Sequence, residues 1–208
     1  MRKTVVFILA FLPVVAMAQT DYEQGMRKAI ELRVAGKPWE AANMFERIAA
    51  AEPEKWLPPY YVAQINVIQS FAEKDAAKLT AQLDKALDFI NDAKALSKEN
   101  TYIMVLEAQW YTAWIVYDGQ QYGMTYSAKA SELYQKALKL APDNPRVILG
   151  KAEWDMGSAR YFGQSLEPYC EDIRKAITLF ATFEPESEFH PSYGLERAKM
   201  ILENNCGE

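Results

Sequence analysis

His190 is the only histidine in the chain, Cys170 and Cys206 are the only cysteines, and these three residues bound the chemistry available to it. His190 stands between Phe189 and Pro191 in an acid-rich turn, with no second histidine to share a metal. A lone histidine in such a turn is a solvated or capping side chain more often than a general base. The sequence contains no HExxH, no paired CxxC, no GxSxG and no Gly-rich phosphate loop, so zinc, serine-nucleophile and nucleotide chemistry all lack their frameworks. No metal and no cofactor is expected. Asp and Glu are plentiful at 28. Their default role is a solvated helix face, and only two carboxylates facing each other in a cleft would indicate glycoside chemistry. The chain is read as a non-enzyme, and a carbohydrate- or peptidoglycan-active enzyme is the remote alternative.

The cysteines carry more information. Cys170 opens one helix pattern and Cys206 follows the last, each about 17 residues from the turn near Glu186–Pro191. If those helices pack antiparallel, both sulfurs reach the same end, and a disulfide would clamp the terminal helix. The alternative is two separate thiols, with Cys206 frayed near the C-terminus. Nothing cationic beside either sulfur suggests redox catalysis.

What positions these residues is a repeat with a period of about 44. Ala41/Phe45/Ile48 before Pro53, Ala86/Ile90/Ala93 before Lys98–Asn100, Ala130/Tyr134/Ala137 before Pro142 and a degenerate Ile173/Ile177/Phe180 before Pro185 mark four copies. Each copy can bury its apolar face only against its neighbours, which makes a solenoid. The expected fold class is all-α, an alpha-alpha superhelix of about four hairpins with a C-terminal capping helix. The hairpins are Tyr22–Ala35 with Trp39–Ala51, then Tyr60–Phe71 with Asp75–Ser97. The third is Asn100–Tyr117 with Met124–Leu140 across an Asp118–Gly123 turn. The fourth runs from Asp143 to Met156, crosses a Gly157–Leu166 loop, and returns from Glu167 to Phe183. Ser192–Asn204 closes the stack, and Asp21 is the expected N-cap of the first helix.

The N-terminus points to export. Arg2 and Lys3 precede an apolar run from Val5 to Val15, and Ala16-Met17-Ala18 supplies the small residues a signal peptidase reads. Residues 1–18 are read as a signal peptide cleaved near Ala18/Gln19, and residues 19–208 as one helical repeat domain, periplasmic or secreted. The run is shorter than the roughly 20 apolar residues of a spanning helix, so no integral membrane segment is expected in the mature chain. Cleavage moves the formal net charge from −5 to about −7. An acidic chain without a basic cluster excludes nucleic acid as the expected partner, since phosphate backbones need counter-charge.

Gly36-Lys37-Pro38-Trp39-Glu40-Ala41-Ala42 leading to Phe45 and Pro53 resembles the second-helix signature of tetratricopeptide repeats. So does Ala130 through Tyr134-Gln135-Lys136-Ala137-Leu138-Lys139-Leu140-Ala141-Pro142, and Leu149-Gly150 resembles that family's first-helix pair. The period exceeds the family's 34, and no copy keeps its full first-helix set. The stretch from Tyr161-Phe162-Gly163 to Cys206 is also similar to exported tetratricopeptide proteins of Bacteroidetes-type bacteria with no assigned activity.

The resemblance implies that first helices line a concave face. Taking Ala29, Ala63, Ala108 and Gly150 as crossing points puts Ile30, Gln64, Gln109 and Lys151 in one row, beside Tyr60, Val105 and Val147, with Arg33 and Asp155 near the ends. Amides, a cation and rings in a row suit a peptide backbone. Trp110, Trp114 and Tyr117 are expected in the core. Arg160, Tyr161 and Phe162 in the Gly157–Leu166 loop form a second candidate surface, unless the two rings fold back as a plug. The expected function is a non-catalytic scaffold or adaptor of the bacterial envelope that binds a protein or peptide on its concave face. A permanently assembled subunit or self-associating module is the alternative, and the pattern specifies no oligomeric state.

Overall fold

The computed structural model describes the backbone of residues 12–207 and the side chains of residues 21–207. Helix follows helix through the described residues, in an order set by caps and prolines. The elements are α1 (Leu12–Val34), α2 (Pro38–Ala51), α3 (Leu57–Ser70), α4 (Ala76–Leu96), α5 (Thr101–Tyr117), α6 (Gly119–Leu140), α7 (Pro145–Tyr161), α8 (Glu167–Phe180) and α9 (Leu195–Asn205). Pro38 and Pro145 occupy first turns, where a missing N–H costs nothing. Asp75, Asn100, Asp118 and Asn144 cap α4, α5, α6 and α7 by accepting from first-turn amides.

Consecutive helices pack as antiparallel hairpins, and the odd-numbered helices bear the thickest apolar coverage. Twelve of the fourteen residues of α3 are buried, Asn66 and Ser70 among them, a helix covered on all sides. Buried side chains run as linked clusters from Met26 and Phe45 through Leu83 and Trp110, then Tyr134 and Val147, to Met156, Ile173 and Ile201. This is the all-α superhelix expected from the repeat.

Several boundaries differ from expectation for identifiable reasons. α1 starts upstream of Asp21, which lies inside the helix rather than capping it. Of the expected leader, residues 1–11 lie outside the described residues. The supposed six-residue turn after Tyr117 is one residue, because Asp118 accepts from both Gln120 and Gln121 and starts α6 at once. Helix α7 continues through Gly157, since Ala159 is buried in the core. It stops where Gly163 takes φ +65° and Gln164 donates back to the Ala159 carbonyl. Arg160 and Tyr161 are therefore helical, and the loop shrinks to residues 162–166. Helix α8 ends at Phe180 rather than Phe183, and α9 starts at Leu195 rather than Ser192. Gly194 turns the chain into α9 with φ +135°, where an added Cβ would come within 2.7 Å of the Phe180 ring.

Cys170 on α8 and Cys206 at the end of α9 are joined, with Cα atoms 5.8 Å apart and a sequence separation of 36. A loop of that length confers roughly 3–4 kcal/mol in the chain-entropy picture. Reduction is expected to lower the thermal midpoint, and a Cys170→Ala/Cys206→Ala variant to melt at the reduced wild-type midpoint whether or not reductant is present. A double variant as stable as the oxidised protein would remove the clamp from the energetics.

Candidate functional site

Side chains of the odd-numbered helices α1, α3, α5 and α7 meet the segment between α8 and α9, which covers the face they share. The segment between α8 and α9 crosses it and returns to the first hairpin. Glu188 receives two hydrogen bonds from the Arg27 guanidinium on α1. The Phe189 ring packs edge-on to Tyr22 at 5.8 Å, and its carbonyl accepts from the Tyr61 hydroxyl at 2.7 Å. His190 lies 5.5 Å from the Trp56 ring and 6.5 Å from that of Tyr102, and shares a hydrogen bond with Ser187 through Nδ1. It is a packed side chain, not a base facing a cleft.

Tyr193 ties the segment to three helices. Its hydroxyl bonds to Tyr60 and to the Gln64 amide of α3. Its carbonyl accepts from Arg146 of α7, and its ring lies 3.7 Å from the Arg146 guanidinium and 4.6 Å from that of Arg33 on α1. Such cation–ring contacts contribute most where water is excluded. Burial pushes the Tyr60 and Tyr61 phenols above their ordinary range, so both remain protonated. Neither Arg33 nor Arg146 has a carboxylate within ion-pair distance among the described residues, and the Arg146 Nε is shut off from solvent without a hydrogen-bond partner. Arg146 also sits in the first turn of α7, where the helix end is already positive and no acid offsets it.

The predicted row is thus divided. Arg33, Tyr60 and Gln64 come together, with Arg33 donating to the Gln64 amide oxygen at 3.2 Å, but around the chain's own Tyr193. Gln64 is only 6% exposed. Lys151 and Asp155 pair with each other on α7, half-buried, and Gln109 is half-buried on α5. Val105 and Val147, expected beside the groove, are core residues. Arg27, Trp56, Tyr61, Arg146 and the Glu188–Tyr193 segment were missed. The available signal was four rings, Phe183, Phe189, His190 and Tyr193, in a stretch without helical period, too aromatic for a solvated turn.

The exposed apolar surface lies elsewhere. Among the described residues, nine of the twelve large apolar side chains left exposed fall at one edge of the stack, where first helices end and second helices begin. They are Val34, Trp39, Ile68, Phe71, Val116, Tyr117, Met124, Tyr161 and Phe162, so Tyr117 is not core as expected, whereas Trp110 and Trp114 are. Tyr161 and Phe162, 76% and 68% exposed, meet edge to face at 5.1 Å and do not fold back as a plug. Arg160 beside them donates to Asn205 at 2.8 Å.

Between the ends of α3 and α5 this edge holds a cleft of about 290 Å³, with walls that include Phe71, Leu79, Val116, Tyr117 and the charged Glu73 and Lys74. A broader hollow of about 600 Å³ against α2 includes Glu40 and Glu46 in its walls. Both carboxylates are ion-paired, to Lys37 and Lys85 respectively. Among the described residues no group of three or more His, Cys, Asp or Glu could hold a metal ion, and no helix is long and apolar enough to cross a membrane.

No family model matches this chain, and no curated protein matches it. Among solved structures it is similar to the HusA haemophore from Porphyromonas gingivalis. The identity is 24%, the TM-score is 0.75, and the match covers 86% of this chain and 90% of that one. This likeness shows the fold over nearly the full length of both chains. A thermophilic tetratricopeptide-repeat protein from Thermus thermophilus matches at 15% identity over 77% of this chain and 89% of its own, with a TM-score of 0.39.

Burial, with Glu52 nearby, pushes the Tyr22 phenol up to about 12 from an ordinary 10.0. The folded state then holds a proton that the unfolded chain releases, so Tyr22 contributes its full stability below pH 10 and loses it as pH rises toward 12. Tyr22→Phe is expected to flatten the fall of the thermal midpoint across that window. An unchanged slope would assign the alkaline loss to other groups.

Proposed function

We propose that this chain is a non-catalytic binding scaffold that works outside the cytoplasm of a bacterium, and that it holds a flat, largely apolar, carboxylate-bearing molecule of the haem class at its exposed hairpin edge. The observation that carries this reading is the segregation of exposed rings. The concave face is filled, while Phe71, Val116 and Tyr117 stand open around a cleft of a few hundred Å³, close to the lower size of small-molecule sites. Aromatic faces stack on a planar macrocycle, and the exposed Lys74 ammonium is placed to meet a carboxylate. The haemophore's name records the ligand class of a protein with the same fold, which makes haem the first probe to try. Export is supported by the N-terminal pattern of charge, apolar run and small residues.

A second reading is the protein-binding adaptor, acting through the same edge. It is favoured by the exposed Tyr161, Phe162 and Arg160, residue types that dominate interaction hot spots. A permanent subunit would use this edge as well, as a fixed interface.

Absorbance titration with hemin and with metal-free protoporphyrin is expected to show saturable binding by wild type. Phe71→Ala/Tyr117→Ala should weaken it about 10-fold or more, the value of roughly two lost ring contacts, at an unchanged thermal midpoint. No binding by wild type would remove the haem class. Equal binding by the variant would remove the edge cleft, and a partner lost on Tyr161→Ala/Phe162→Ala would then support the adaptor.

A further inference from the structure

The non-helical segment from Phe183 to Gly194 is held by side chains of four different helices, and the way it is held resembles ligand recognition more than core packing. Its carboxylate meets a guanidinium, Glu188 on Arg27. Two of its backbone carbonyls accept from side chains, that of Phe189 from Tyr61 and that of Tyr193 from Arg146. Its rings lie against Tyr22, Trp56, Arg33 and Arg146. We infer that the concave face is a peptide-recognition site occupied in cis by the chain's own segment, and that the ligand it takes in trans is an acidic–aromatic peptide of the same pattern, Glu-Phe-x-x-x-Tyr.

Two features separate this from a permanent plug. The stems on either side of the segment are secured without it, since α8 and α9 share the Met156/Ile173/Ile201 cluster and are joined by Cys170–Cys206. Release of the segment therefore need not open its stems. The cis occupant also leaves the site electrostatically incomplete. Glu186 is largely exposed and lies 3.3 Å from the His190 Nε2, and neither Arg33 nor Arg146 receives a carboxylate from the segment. Arg146, with its Nε shut off from solvent and without a hydrogen-bond partner, and the half-buried Arg33 are cationic donors left incompletely met, which costs free energy, so a peptide carrying a further acid near its tyrosine gains contacts that the segment lacks. Charge complementarity thus sets the class of occupant, in a chain whose net charge of −5 disfavours acidic ligands elsewhere on its surface.

The test uses the oxidised full-length mature chain and a fluorescent synthetic peptide with the sequence of residues 183–194. In a Phe189→Ser/Tyr193→Ala variant the cis segment is weakened, and the peptide is expected to bind at least 10-fold tighter than to wild type. Adding Arg33→Ala and Arg146→Ala to that variant should abolish the gain. An otherwise wild-type chain carrying a protease site at Glu184–Glu186 and nicked there, its pieces still linked by Cys170–Cys206, should bind the peptide as the weakened variant does, which covers the case in which that variant does not fold. Failure of the peptide to bind either opened form better than wild type overturns the inference, as does equal binding when both arginines are replaced. Neither result depends on porphyrin binding at the outer edge.

Discussion

The contact between Tyr193 and the two guanidiniums of Arg33 and Arg146 closes the molecule. One phenol ring, its hydroxyl and its carbonyl bring together α1, α3 and α7, which are separated by whole repeats in sequence. A solenoid is otherwise held only by neighbour-to-neighbour packing. This tie adds a long-range link from the segment before α9 to α1, α3 and α7. Gly194 is part of the same constraint, because only a residue without a Cβ can turn from the tie into α9 against Phe180.

Filling the concave face moves exposed apolar surface outward. The first helices are covered on their inner side by the returning segment and on their flanks by second helices, so their C-terminal ends are the places left where large rings meet water. That is where Phe71, Val116, Tyr117, Tyr161 and Phe162 stand. Exposed rings gathered at one edge are the feature on which the proposed binding role rests.

The electrostatics point the same way. The molecule is acidic overall, and its surface ion pairs, such as Lys94 with Glu107 and Arg197 with Glu153, are local and partly exposed, so each contributes little. The charges that matter structurally are Arg33 and Arg146, held against rings, a carbonyl, hydroxyls and an amide. Arg33 and Arg146 are therefore two cations without a paired carboxylate among the described residues, in a chain whose net charge is −5.

The sequence by itself determined the helices and their pairing. Apolar spacing, proline at first turns and Asn or Asp caps act over a few residues, so their consequences are readable locally. The Cys170 and Cys206 register was also legible, because two cysteines at similar distances from the intervening turn come to the same end when their helices pack antiparallel. Tertiary structure alone decided which of the aligned residues would be open. Gln64 and Tyr60 both bond to Tyr193, yet nothing in their spacing indicates that a segment about 130 residues later would cover them. The superhelical curvature that lets that segment reach α1 and α3 is a sum of small rotations between repeats, set by packing volumes that no periodicity records. The same curvature turned Tyr117, Tyr161 and Phe162 outward and drew His190 in between two rings.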